Sequence, residues 1–229
     1  MQVALALFPG VSADECEAFT LVFEQLAEAE LVGVGAELGP VVGPGGGHHI
    51  DALFADVQHP DVVLVPGGLG CARTAGDQAL LDWLRAVAPR CQWMAASSTG
   101  TVVVAAAGLL DDHEAATHWL ASDLLESYGS AASAERIVEV DRIITCEGRI
   151  TAMHVALLVT LRIAGPDAVR RVRAGLADVG QRPVAQPSWW ERLRAARGAR
   201  QHTGPRRPRN RELDAPDEIE FDPITPRHP

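Results

Sequence analysis

Short apolar runs alternate with amphipathic segments and Gly/Pro-rich turns along most of the chain, a pattern that predicts an α/β domain with a largely parallel sheet. "QVALALF" reads as the first strand. Ser12 or Asp14 then caps a helix expected to run to about Ala29, with Cys16, Phe19, Val22, Phe23 and Leu26 on one face. "LVGVGAEL" reads as a second strand, and "GPVVGPGGGHHI" has the Gly/Pro density of a turn-rich connection. "DVVLVPGG" and "CQWMAAS" are continuous apolar runs, as expected of strands covered on both faces, with the amphipathic helix "ALLDWLRAVA" between them. A helix of small residues follows Ser98 as far as Gly108, and "HEAATHW" reads as a short strand. "ERIVEVDRIITCEG" alternates like a hairpin turning near Asp141. "ITAMHVALLVTLRIAG" and "PDAVRRVRAGLADV" read as closing helices, so the domain is expected to span residues 1–187. Residues 188–229 form an Arg/Pro-rich extension with one short helix at "SWWERLRAARGA".

Charge narrows the function classes. Residues 1–187 carry 23 acidic and 11 basic side chains, and an acidic body disfavours nucleic-acid binding, which depends on neutralising phosphates. All 20 residues of the Lys+Arg total are arginine, so neither a Schiff-base lysine nor a P-loop lysine exists in this chain. The four cysteines lie far apart without a C-x-x-C pair, which predicts buried free thiols rather than a metal knuckle or a disulfide framework. His48 and His49 lack a third ligand at metal-binding spacing and are expected in a surface loop. No apolar run reaches the roughly 18–20 residues of a membrane span. The N-terminus has no basic segment ahead of its apolar run, so the expectation is a cytoplasmic protein without a signal peptide.

The stretch "MAASSTGTVVVAAAGLL" holds the strongest chemical signal. Ala96-Ser97-Ser98-Thr99-Gly100 places a small residue two before Ser98 and a glycine two after it, the steric requirement of a sharp strand-to-helix elbow. Such an elbow lifts the central side chain above the sheet and aims helix N-terminal amides at whatever binds there. An ordinary helix N-cap serine is the competing reading.

"DVVLVPGG", followed by "AASSTG" and then "AAAGLLDDHEAATHW", resembles the ThiJ/PfpI superfamily of the class I glutamine amidotransferase-like fold, with isonitrile hydratases the most similar branch. The resemblance runs from residue 2 to about 180 and implies a three-layer flavodoxin-like sandwich with a strand, nucleophile elbow and helix. It places Ser98 where the family carries its nucleophilic cysteine and Thr99 at the neighbouring threonine. The family acid on the first helix falls at Glu17, or at Glu15 if no gap is allowed. Gly67 and Gly68 match a loop whose amides help form an oxyanion hole, and His118 matches the histidine of "ATHW". His154 stands where relatives often have aspartate. Arg149 and Glu147 follow a strand end and either line the pocket or form a surface ion pair.

A serine, unlike a cysteine, is not ionised by helix amides alone and needs a base within reach. Two chemistries stay open: a relay of Ser98, His118 and a carboxylate, or acid/base work by Glu17 with Ser98 as a hydrogen-bond partner. The expectation is therefore a small-molecule hydratase or lyase without metal or organic cofactor, and, from the resemblance, a homodimer. The alternatives are a catalytically silent ligand-binding or regulatory member and a serine-dependent hydrolase.

Overall fold

A computed structural model describes residues 1–181. β1 (Gln2–Ala6) leads into α1 (Ala13–Phe23), β2 (Glu30–Gly35) and a hairpin of β3 (Gly39–Gly43) with β4 (Gly46–Ile50). The short β5 (Ala52–Leu53) precedes β6 (Val62–Val65), α2 (Cys71–Thr74), α3 (Gln78–Val87) and β7 (Trp93–Ser97). Then come α4 (Gly100–Ala106), β8 (Glu114–Ala115), α5 (Ser122–Glu126) and β9 (Ala131–Ala132). The described chain closes with β10 (Ile137–Val140), β11 (Ile143–Cys146) and α6 (Arg149–Gln181). The short helix expected at residues 188–229, and the rest of that extension, lie outside the described residues.

The principal sheet has seven strands in the order β10-β11-β7-β6-β1-β2-β5, parallel throughout except where β10 returns on β11. Every residue of β6 is buried and only the first of β1 and of β7 is not, because helices cover both faces and leave no solvent side to alternate toward. α1 packs on α6, while α4 packs with α2, α3 and α5, giving the expected three layers. The chain order reverses across β1, which pairs with both β2 and β6, so the open crevice of the fold lies beyond the carboxyl ends of these strands.

Local chemistry sets the element ends. Asp77 caps α3 by accepting from the Ala79 and Leu80 amides at 3.1 and 3.4 Å. Gly165, at φ 79°, and Pro166 break α6 into the two helices expected there. α6 holds a stretch long and apolar enough to cross a bilayer by length and composition. Within it Ala152, Val155, Ala156 and Val159 are fully buried, α6 packs on α1, and Gly165 breaks the helix. The hairpin of β10 and β11 turns at Asp141, which takes φ 53°.

Two expectations fail. α1 stops at Phe23 instead of Ala29, and Gln25, Leu26 and Ala29 continue through turns whose amides bond three residues back. The expected loop at His48-His49 is strand β4, with His48 buried and His49 bonded to Asp51 at 3.1 Å. Burial lowers the pKa of His48, and neither of its ring nitrogens has a partner among the described residues.

Candidate active site

Three connections meet beyond the strand ends. The Ser12 amide donates to Gly67 O at 2.9 Å, tying the loop after β1 to the loop after β6. The Ser98 amide donates to Cys146 O at 2.8 Å, tying the end of β7 to that of β11. Ser98 itself has φ 56°, a left-handed conformation that costs a non-glycine residue roughly 1–3 kcal/mol and persists only when its surroundings enforce it. Those surroundings are visible: the Thr117 hydroxyl donates to Ser98 O at 2.8 Å from a buried position. A Cβ on Gly67 would sit 2.7 Å from Ser98 Cβ, so only glycine lets the two loops approach this closely.

Thr99 and Gly68 do something other than expected. The Thr99 hydroxyl accepts from the Gly68 amide at 2.9 Å and is placed to donate to Gly68 O at 3.0 Å. Thr99 thus pins the β6 loop to the elbow, and the Gly68 amide is already engaged and is not a free oxyanion donor. The first-turn amides of Thr99 and Gly100 have no acceptor among the described residues.

The carboxylate at the elbow is Glu15. The Ser97 hydroxyl donates to Glu15 Oε2 at 2.7 Å, and the Arg149 backbone N–H lies close enough to favour its ionised form. Burial nevertheless dominates and raises the Glu15 pKa above its ordinary value. Glu17, the first choice from the sequence, is exposed on α1. The candidate carboxylate therefore moves from Glu17 to Glu15. No carboxyl oxygen among the described residues hydrogen-bonds the Ser98 hydroxyl, because the serine that meets the acid is Ser97.

His118 is half-buried and its Nδ1 accepts from the Leu120 amide at 3.2 Å, which leaves the proton on Nε2. Its positive field, when protonated, favours ionised Glu15. Among the described residues no hydrogen bond joins it to Ser98 or to a carboxylate, so the serine relay is not assembled there. An open cleft of about 650 Å³ is lined by Thr117, His118, Trp119, Glu147, Gly148 and Arg149 among others; Thr117 connects it to the elbow, while Glu15, Ser97 and Ser98 are not part of its lining. Glu147 pairs with Arg136 and not with Arg149. His154 is exposed on α6 and is not part of the cleft lining. Ser97 and Thr117 are the functional residues that site reasoning from the sequence passed over, although "SSTG" and "ATHW" contain them.

All four cysteines are buried free thiols, and burial pushes Cys71 and Cys91 up to about 11 and Cys146 up to about 12. A thiol reagent at pH 7 is expected to label none of them in the native protein and all four after denaturation. Ser98→Cys is expected to add one fast-reacting native thiol, since the free elbow amides stabilise a thiolate at that position. Absence of that extra label would mean that the elbow is closed to small molecules.

The sequence profile of the DJ-1/PfpI family matches residues 1–160. The chain belongs to the DJ-1/PfpI family. Over 177 residues this DJ-1/PfpI protein is 29% identical to an isonitrile hydratase from Pseudomonas putida, covering 77% of the chain and 78% of the relative. It is also 31% identical over 134 residues to the HTH-type transcriptional regulator CdhR from Pseudomonas aeruginosa, covering 57% of the chain and 40% of that relative. A ThiJ/PfpI family protein from Pseudomonas syringae superposes with a TM-score of 0.70, covering 86% of the chain and 84% of that structure, at 22% identity. That likeness concerns the fold.

Proposed function

We propose that this DJ-1/PfpI protein is a small-molecule hydratase of the isonitrile hydratase type, with Glu15 as its proton-transfer group. The observation that carries the reading is the half-buried Glu15 carboxyl, held at the foot of the elbow by Ser97 with its pKa raised. A carboxyl whose pKa is raised by burial is suited to general-acid catalysis. The likeness to the Pseudomonas putida isonitrile hydratase extends over most of both chains and supports the same class of reaction.

For an isonitrile the steps balance simply. Glu15 gives its proton to the terminal carbon, and the resulting nitrilium carbon is attacked by water. The Glu15 carboxylate then takes a proton from that water, and tautomerisation yields the N-substituted formamide. The Thr99 and Gly100 amides, which have no acceptor among the described residues, begin α4 directly after Ser98. Ser98 needs no base for this role, since it contributes a hydrogen bond and makes no covalent attack.

The second reading is a ligand-binding member without catalysis, favoured by the lack, among the described residues, of any base bonded to the Ser98 hydroxyl and by the likeness to a transcriptional regulator. A panel of isonitriles, nitriles, α-oxoaldehydes and activated amides separates the two. Formamide appearing from an isonitrile supports the hydratase. Saturable binding with no product from any of these compounds supports the second reading, and turnover confined to an oxoaldehyde would reassign the reaction.

A further inference from the structure

We infer that Ser97 is the residue that positions the Glu15 carboxyl, holding its Oε2 and leaving Oε1 on the side of the turn after β11. The inference rests on the proposed hydratase reading only for its kinetic part; the positioning itself stands on geometry.

Ser97 ends β7, where Met94, Ala95 and Ala96 are buried apolar residues, and it is itself 0% exposed. A hydroxyl in such a place is costly unless bonded, and Ala or Val would satisfy packing alone. Its partner is Glu15 Oε2, 82 residues away on the first turn of α1. The bond therefore joins a strand end to a helix start across the crevice, and neither partner bends its backbone to make it: both lie in regular secondary structure. The left-handed turn begins only at Ser98.

Fixing one carboxyl oxygen fixes the other. With Oε2 on Ser97, Oε1 lies toward the turn after β11, where a Cβ built on Gly148 would be 3.6 Å from it. Gly148 and its neighbour Arg149 line the cleft. The bond to Ser97 is one in which the carboxyl accepts, so it favours the ionised form and opposes the effect of burial. Ser97 thus sets both the direction of the proton-transfer oxygen and the balance of its protonation. The two adjacent serines have separate tasks: one holds the acid, while the other stands at the elbow with no acid among the described residues bonded to it.

The test compares Ser97→Ala with Ser98→Ala in the full chain. The Glu15 carboxyl carbon is followed by ¹³C NMR through a pH titration, and its resonance is assigned by its loss in Glu15→Gln. In Ser97→Ala the Glu15 titration is expected to move to higher pH, since a donor to the ionised form has been removed. In Ser98→Ala it is expected to stay where it is in the wild-type protein. Ser97→Cys keeps the shape with a weaker donor and is expected to titrate between the two. With a substrate in hand, Ser97→Ala should lower kcat about tenfold with KM near the wild-type value, and the alkaline limb of its pH profile should shift upward with the NMR midpoint. An unmoved titration in Ser97→Ala, or a shift produced by Ser98→Ala instead, overturns the inference. The NMR arm uses no substrate, so absence of hydratase activity would count against the proposed reaction and leave the positioning role to be decided by the titration.

Discussion

Glu15→Gln is expected to lower kcat for hydration by roughly 10²- to 10⁴-fold, the usual contribution of a positioned general acid–base group. Glutamine keeps the size and shape of the side chain and still accepts from Ser97, so the loss reports the missing proton. Glu17→Gln, on the exposed side of the same helix, is expected to leave turnover unchanged. The reverse ranking would return the catalytic role to Glu17. The same variant should separate activity from stability. Because the folded-state pKa of Glu15 is raised, its ionisation opposes folding. Below the ordinary carboxylate range both folded and unfolded chains are protonated at this site, so wild type and variant differ little there. As pH rises through the raised pKa the wild-type protein loses stability at this site and Glu15→Gln does not. Denaturant midpoints should therefore favour the variant at neutral pH while its activity is low.

Gly100→Ala should destabilise the fold by about 3 kcal/mol, the upper part of the range for overpacking a core. Inside a helix this exchange ordinarily stabilises by about 1 kcal/mol, so the sign itself is diagnostic. The reason is contact: an added Cβ would lie 2.3 Å from Val65 O and 2.7 Å from Pro66 O. Val65 closes β6, which pairs with β1 on one side and β7 on the other, so its backbone has little room to withdraw. Gly76 provides the control, since a Cβ there meets only Arg73 O at an ordinary 3.5 Å. Urea unfolding of both variants gives the comparison. Equal midpoints for the two would remove steric closeness as the reason for glycine after Thr99.

Hydrophobic runs made the central sheet readable, because a strand covered on both faces has no polar register to obscure it. β1, β6 and β7 all declare themselves in this way. The elbow was readable for the same kind of reason: small residues around Ser98 are a steric signature that survives without any tertiary information. The hairpin of β3 and β4 was hidden, since its five glycines lower strand propensity and resemble a loop. The choice between Glu15 and Glu17 was partly readable. At 3.6 residues per turn, Glu15 falls roughly 50° from the centre of the face made by Cys16, Phe19, Val22 and Phe23, whereas Glu17 falls about 150° away. Helical phase favours Glu15, whereas the family motif places the acid at Glu17. The bond between Ser97 and Glu15 had no local trace, because a contact across 82 residues exists only once the sheet is formed.

The strand order also dictates when this site comes into being during synthesis. β7 acquires its second edge only from β11, whose residues 143–146 are made some fifty positions later, and the Ser98 amide takes its acceptor from Cys146. A nascent chain that has emerged only through α4 therefore carries the elbow sequence with its outer strand edge unpaired and its strained backbone unsupported. Pairings between segments so distant in sequence form slowly, and open apolar edges invite association with other chains. Chains cut short before residue 146 should accordingly be handled by the cell as aggregation-prone fragments, even though every residue of "SSTG" is present in them.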